Sequence, residues 1–427
     1  MSKSKKGLKK DFLWNFIAEG ISAGQSALIL VFISAAMSIS DAGVFSIGYA
    51  ISTIACVIGM YGVRNYQVTD VTNKFRFKSY LVARFITVFA SLCIVGIYLI
   101  FLLARSSYTN SKALAVILIC IWKLDSVFED VVYGMYQQRG FLALGARTYA
   151  VRLSASTMLF CALTLTGLDL ITILVIVCIF SYVATIISFR LTYPCVGSAQ
   201  TDILYSSNSQ TINVGVAAGA RQILRQCLPL AISGALGNYI GNAPKYSIDL
   251  FMDDGSQAIF GYILMPSFVI LILSNSVYRP ILPGLSDLYI EGDNRAFGQK
   301  IYKQLLMVLI MALVILAGGY VFGIPVLSVL YSTDLTRYKT QFMLLLVGGL
   351  GYALASFACA ILTVMRKQRT IAICYIICSL LCIFSSKILI DVAGFTGAVI
   401  QYDFCNIILA LMLFAVIAYA IRSSKER

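Results

Sequence analysis

About a dozen apolar stretches of membrane-spanning length, separated by short polar connections, constrain this 427-residue chain more than any other feature. A hydrocarbon core about 30 Å thick takes roughly 20 apolar helical residues per crossing. Only helices or closed barrels satisfy every backbone group in lipid, and these runs lack the period-two alternation of barrel strands. With 59% hydrophobic residues, the chain reads as an all-α polytopic membrane protein.

Hydropathy and loop chemistry place twelve spans. The first six run over 12–37, 42–63, 80–103, 113–134, 149–166 and 170–193, the second six over 222–247, 257–278, 304–322, 341–365, 370–389 and 397–421. The stretch 195–220, rich in Ser, Thr, Asn and Gln, reads as a cytoplasmic linker between an N-terminal half (1–194) and a C-terminal half (221–427). A faint repeat at an offset of 215 supports two halves of six helices. Val44-Phe45 falls on Ile259-Phe260, Arg64 falls on Arg279, and Gly20-x-x-x-Gly24 finds Gly237-x-x-x-Gly241 two residues out of register. Six spans per half make the repeat parallel, a transporter plan with the substrate site in a central cavity between the halves.

Positive charge is retained on the cytoplasmic side of a membrane. With the N-terminus inside, 26 of the 33 Lys and Arg face the cytoplasm, six face out and Lys123 lies within a span, so both termini are expected in the cytoplasm. That count includes Arg84 with the group following span two and Arg152 with the group following span four. The net charge of +14 is then mainly a topology signal and no nucleic-acid footprint, because it is spread over seven segments. The basic Met1 to Lys10 stretch and its long apolar run read as an uncleaved first helix in place of a secretory signal.

The 12 Cys are scattered within spans, which argues against a disulfide framework. Cys374, Cys378 and Cys382 share one helix face and read as small packing residues; no His is present to complete a mixed metal site. No metal or cofactor is expected.

Chemistry then rests on polar residues inside spans, since a charge against lipid is costly and marks a cavity or a partner. Span four carries Lys123, Asp125, Glu129 and Asp130. At about 100° per residue, Lys123 and Asp130 share one face while Asp125 and Glu129 share another. The set is read either as internal ion pairs that lock the bundle or as ion-coupling and substrate groups in a hydrated cavity. Glu19 in span one, and Asp403 with Asn406 in span twelve, are read either as helix-to-helix anchors or as coupling groups. In span seven, Lys245 and Asp249 lie four residues apart beside Pro244, which cannot donate to the helix ladder. Glu19, Asp125, Glu129, Asp130 and Asp249 are therefore the candidates for coupling H+ or Na+.

Three segments carry a family resemblance: Tyr61-Gly-Val-Arg-Asn-Tyr-Gln-Val-Thr-Asp70, Tyr136-Gln-Gln-Arg-Gly140 and Asn242-Ala-Pro-Lys-Tyr-Ser-Ile-Asp249. With the 6+6 plan they resemble the polysaccharide repeat-unit (O-antigen and capsule) flippases of the multidrug/oligosaccharidyl-lipid/polysaccharide exporter superfamily. The resemblance implies a bacterial plasma-membrane protein that moves polyprenyl-diphosphate-linked oligosaccharide outward by alternating access, beside glycosyltransferases and a polysaccharide polymerase. It implies a cationic cavity, because Arg binds phosphate oxygens as a planar fork and Lys as a point charge. Arg64, Lys123, Lys245 and Arg279 are the candidates for the diphosphate, with Asn238, Tyr239 and Asn242 for sugar hydroxyls. Arg64 and Arg279 read equally as topology anchors.

An ion-coupled multidrug antiporter of the same superfamily would share the fold and present a more acidic or apolar cavity. A membrane glycosyltransferase needs a large extramembrane loop, and the outer loops here are short. Val347-Gly-Gly-Leu-Gly-Tyr352 looks like a potassium filter but lies within an apolar span, where close helix packing accounts for the glycines. No Walker sequence is present, which argues against direct ATP drive.

Overall fold

The computed structural model describes residues 5–70, 75–204, 215–278 and 281–423. Among the described residues the chain is helical throughout and forms two compact units, Met1–Ala235 and Leu236–Arg427.

In the N-terminal unit the long helices are α1 (Lys5–Ala36), α2 (Ile39–Met60), α4 (Phe77–Ala104), α5 (Asn110–Gln138), α6 (Leu142–Thr164) and α7 (Leu170–Leu204). A short α3 (Val63–Thr69) follows α2, and α8 (Val216–Phe251) runs from this unit into the next. Local chemistry sets the ends. Ser38 and Asp41 form a reciprocal capping box at the start of α2, with Asp41 N donating to Ser38 Oγ at 3.1 Å and Ser38 N to Asp41 Oδ2 at 3.2 Å. Tyr61 and Gly62 both take the left-handed conformation and stop α2, so Arg64 sits on α3, beyond the end of the expected span. A Cβ on Gly62 would lie 2.5 Å from Leu230 Cδ2, which restricts that position to glycine twice over.

The expected span with the most charges within it, 113–134, is the most internal of this unit. α5 packs against α2, α3, α4, α6 and α7, and this follows from its sequence, because no rotation of a helix with four spaced charges keeps them all from hydrocarbon. Conversely, α4 turns Phe85, Phe89, Ile97 and Ile100 outward, an apolar face suited to lipid.

The C-terminal unit holds the rest of α8, α9 (Asp254–Tyr278), α10 (Leu282–Glu291), α11 (Asn294–Gly318), α12 (Ile324–Leu330), α13 (Lys339–Val364) and α14 (Gln368–Ser423). A five-residue π turn at Gly319–Gly323 joins α11 to α12, so the two form one continuous crossing. α14 is two helices meeting at Gly394, whose φ of 53° and ψ of −130° reverse the chain. Antiparallel pairing of its arms is fixed by Gln401 Nε2 donating to Cys382 O at 2.9 Å and Cys378 Sγ donating to Cys405 O at 3.2 Å. Among the described residues the long helices thus number six in each half, as expected. Among the described residues eight helical stretches are long and apolar enough to qualify as spans by composition, α14 covering two crossings, while α5, α6 and α8 fall short because they carry the polar residues.

α13 is the centre of this unit, packing on α9, α10, α11 and α14. Its glycines allow that approach: a Cβ on Gly349 would meet Ser267 O at 3.0 Å, one on Gly351 would meet Ile407 N at 3.2 Å, and one on Gly348 would collide with Asp403 and Tyr402. Close packing is therefore the role of the filter-like segment. Cys374, Cys378 and Cys382 lie in the same core. The paired Gly-x-x-x-Gly motifs are not equivalent. A Cβ on Gly237 or Gly241 would touch Tyr375 or Tyr352, whereas nothing lies within 4 Å of one placed on Gly20 or Gly24.

Candidate functional site

The four charges in the middle of α5, Lys123, Asp125, Glu129 and Asp130, reach three separate sets of partners, all inside the N-terminal unit. Lys123 Nζ donates to Gln25 Oε1 at 2.7 Å and Tyr49 OH at 3.2 Å, and Gln25 Nε2 passes the chain on to Thr157 Oγ1 at 2.9 Å. Asp125 Oδ2 accepts from Arg152 Nη1 at 2.9 Å, Ser181 Oγ at 2.6 Å and Thr185 Oγ1 at 3.0 Å. Glu129 Oε2 takes two donors of the same guanidinium, Nε at 2.8 Å and Nη2 at 2.7 Å. Asp130 lies between Arg84 Nη2 at 2.7 Å and Arg64 Nη1 at 3.4 Å.

Lys123 and Asp130, expected on one face of α5, do not meet each other. A shared helix face places two side chains on one side of the backbone. At seven residues, about 10 Å along the axis, they are free to meet different neighbours, and here Lys123 turns to α1 and α2 while Asp130 turns to α3 and α4.

Arg84 and Arg152 correct the charge count. Both are buried, at 0% and 3% exposure, well within α4 and α6, and hold the carboxylates of α5. Their signal was present in the sequence, since each lies three or four residues inside an expected span. The Arg84 guanidinium also binds the end of α2, where Nη1 donates to Gly59 O at 2.7 Å and Thr87 Oγ1 donates to the same oxygen at 2.7 Å. Carbonyls in the last turn of a helix lack intrahelical donors, and this one is satisfied from α4.

Beside these pairs lies a cavity of about 270 Å³ whose wall includes Glu19, Ser22, Arg64, Glu129, Asp130 and Tyr149. Arg64 is held over the Tyr133 ring at 4.0 Å and donates through Nη2 to Gln137 Oε1 at 2.9 Å. Tyr149 OH donates to Ser22 Oγ at 3.2 Å. Of the three carboxylates in the wall, Glu129 and Asp130 are paired, while Glu19 is exposed and has no hydrogen-bond or ion-pair partner among the described residues. Structure thus brings Glu19, Arg64, Glu129 and Asp130 into one site. Asp125 lies behind it, wholly buried, and Lys123 lies outside its wall.

In the C-terminal unit, Asn238, Asn242, Lys245 and Asp249 form one stripe of α8. Asn242 Nδ2 donates to Asn238 O at 3.1 Å. Lys245 and Asp249 are buried, at 4% and 8% exposure, and are not ion-paired to each other. Lys245 has no hydrogen-bond or ion-pair partner among the described residues. Helix α8 continues through Pro244. On α14, Asp403 Oδ1 and Asn406 Oδ1 are buried without a hydrogen-bond partner. Arg279 lies outside the described residues.

No family model matches the chain, and no curated protein sequence matches it. Solved structures do. An inward-facing multidrug resistance transporter of the MATE family, in the MOP superfamily, aligns with a TM-score of 0.66 at 13% identity over 96% of this chain and 99% of its own. A mutant of the Vibrio cholerae MATE transporter VcmN aligns at 0.64 and 15% identity over 98% of both chains. A MOP-superfamily transporter from Pyrococcus furiosus, for which reverse polarity of the binding pocket is described as suggesting a different function, aligns at 0.60 and 12% identity over 99% of this chain and 96% of its own. At these identities the likeness is one of fold: a MATE-like transporter fold of two helical halves.

Proposed function

We propose that the protein is an ion-coupled exporter of small organic molecules working by alternating access, the multidrug-antiporter type of this fold. The observation that carries the reading is the wall of the N-terminal cavity, where three carboxylates meet one guanidinium and Glu19 stands without a partner. An unpaired carboxylate facing a cavity inside a membrane bundle takes up and releases H+ or attracts a cation, and ionisable groups in that position mark ion and substrate pathways. Neighbours described as multidrug transporters support it.

A second reading, export of lipid-diphosphate-linked oligosaccharide, draws on the Arg64 guanidinium in the same wall, 25% exposed. One experiment separates them. Purified protein in liposomes under an imposed pH gradient is given either a fluorescent lipophilic monocation or a short-chain polyprenyl-diphosphate oligosaccharide. Gradient-driven uptake of the dye supports the antiporter. Movement of the glycolipid with no dye uptake replaces that reading with the flippase.

A further inference from the structure

Four oxygen-bearing side chains from two helices bind the Arg152 guanidinium, and a fifth braces one of them. Nη1 donates to Asp125 Oδ2 and Ser181 Oγ, both at 2.9 Å, Nη2 to Ser126 Oγ at 3.0 Å and Nε to Glu129 Oε2 at 2.8 Å. Thr185 Oγ1 donates to the same Asp125 oxygen at 3.0 Å. The arginine comes from α6, the shell from α5 and α7. Arg152 and Asp125 are 2% and 0% exposed at their side chains, and Asp125 Oδ1 is buried with no hydrogen-bond partner. Two carboxylates and three hydroxyls in a water-poor interior form a shell of oxygen donors of the kind that binds a bare cation, and one more acceptor lone pair is left over. Without the guanidinium, two carboxylates on adjacent turns of α5 would be stranded together.

We propose that Arg152 is a tethered cation: its side chain permanently fills a monovalent-cation site built by α5 and α7, so the intact protein takes up neither Na+ nor K+ there. When the side chain is removed, a free guanidinium ion takes its place. A planar cation with N–H donors around its edge matches this shell better than a point charge does, which makes guanidinium the preferred guest. The inference holds whichever compound crosses the membrane. It also removes Asp125 and Glu129 from the groups that exchange a coupling ion with solvent, leaving Glu19 as the carboxylate of the N-terminal cavity free to do so.

The test is the melting temperature of the full-length protein in detergent, titrated with guanidinium chloride in the millimolar range, with Na+ and K+ at matched ionic strength. Arg152→Ala is expected to show a saturable rise of about 2 °C or more with guanidinium, and the wild type none. Guanidinium leaving Arg152→Ala unmoved overturns the proposal. So does a Na+-dependent rise in the wild type that disappears in Asp125→Asn. If Arg152→Ala does not accumulate, Arg152→Lys and Arg152→Gln decide: a membrane level for Lys well above that for Gln supports a tethered charge. Gln equal to or above Lys overturns it.

Discussion

Arg84 and Asp130 form an unequal pair, 2.7 Å apart between Nη2 and Oδ2, in which the guanidinium side chain is 0% exposed and the carboxylate, at 11%, borders the N-terminal cavity. The arginine is bound on its other side to Gly59 O, so it ties α2 and α5 through α4. Removing one partner strands the other in the interior. Asp130→Ala and Arg84→Ala are each expected to destabilise by about 3–5 kcal/mol. Arg64→Ala removes the 3.4 Å contact to Asp130, the bond to Gln137 and the stacking on Tyr133 from a quarter-exposed guanidinium but leaves Asp130 paired with Arg84, and it should lose only about 1–2 kcal/mol. Melting curves of the three variants, read at equal membrane levels, check the order; Arg64→Ala as the worst of them would contradict it.

Much of the fold was legible because apolar spans are long, periodic and bounded by charge. Spans eleven and twelve, expected at 370–389 and 397–421, are the two arms of α14, and the break between them falls at Gly394. The site was legible in residue type and illegible in pairing. Four charges on α5 announced an internal helix, but sequence gives the angle of a side chain around its own axis and says nothing of which neighbour meets it. Helix angle puts Lys123 and Asp130 on one side of α5 and the charge pattern groups Arg84 and Arg152 with the adjoining loops, whereas α4 and α6 bring both arginines against α5 and Lys123 meets α1 and α2. Gly20 and Gly237 illustrate the same limit, being alike in motif and unlike in surroundings.

The chain Lys123 to Gln25 to Thr157 links α5, α1 and α6 through a buried ammonium whose nearest acceptors are neutral. Lys123→Met and Gln25→Leu should each lower the melting temperature, and the double variant should lose less than the sum of the singles, with a coupling of about 0.5–3 kcal/mol. Reversing Lys123 and Asp130 together should rescue neither single reversal. Additive losses in the first cycle, or rescue in the second, would each rule out this connectivity.

Lys245 is buried without a partner among the described residues, an arrangement that burial alone disfavours. A residue kept against stability points to use. Lys245→Met, similar in volume and uncharged, is expected to melt at or above the wild type while transport in reconstituted liposomes falls. A lower melting temperature with unchanged transport would mark the lysine as structural.

Three carboxylates outside the spans act as caps. Asp169 accepts from Thr172 N at 3.1 Å and Thr172 Oγ1 at 2.6 Å, and those bonds hold its carboxyl below the ordinary 3.8; Asp253 with Ser256 and Asp334 with Thr336 are lowered for the same reason. A depressed folded value means stability that is present above the unfolded value and lost as pH falls through the folded one. Melting temperature should therefore hold above pH ~5 and decline below ~4, and the triple Asn variant should show a shallower decline. An unchanged acid slope in that variant would show that the caps contribute nothing measurable.

Glu19 is the remaining test of the site, and its exposure makes the test clean. Because the side chain has no partner among the described residues, Glu19→Gln should change stability by no more than about 0.5 kcal/mol. It removes the one carboxylate of the cavity wall whose charge is not already matched by an arginine, so gradient-driven export should fall roughly tenfold or more. Glu19→Asp keeps a titratable group on a shorter stem and should retain part of the activity. The pair of variants separates a proton- or cation-binding role from simple lining of the cavity: loss in Gln with partial retention in Asp assigns the carboxylate its role, whereas full export from Glu19→Gln at matched protein level moves the coupling site out of the N-terminal cavity.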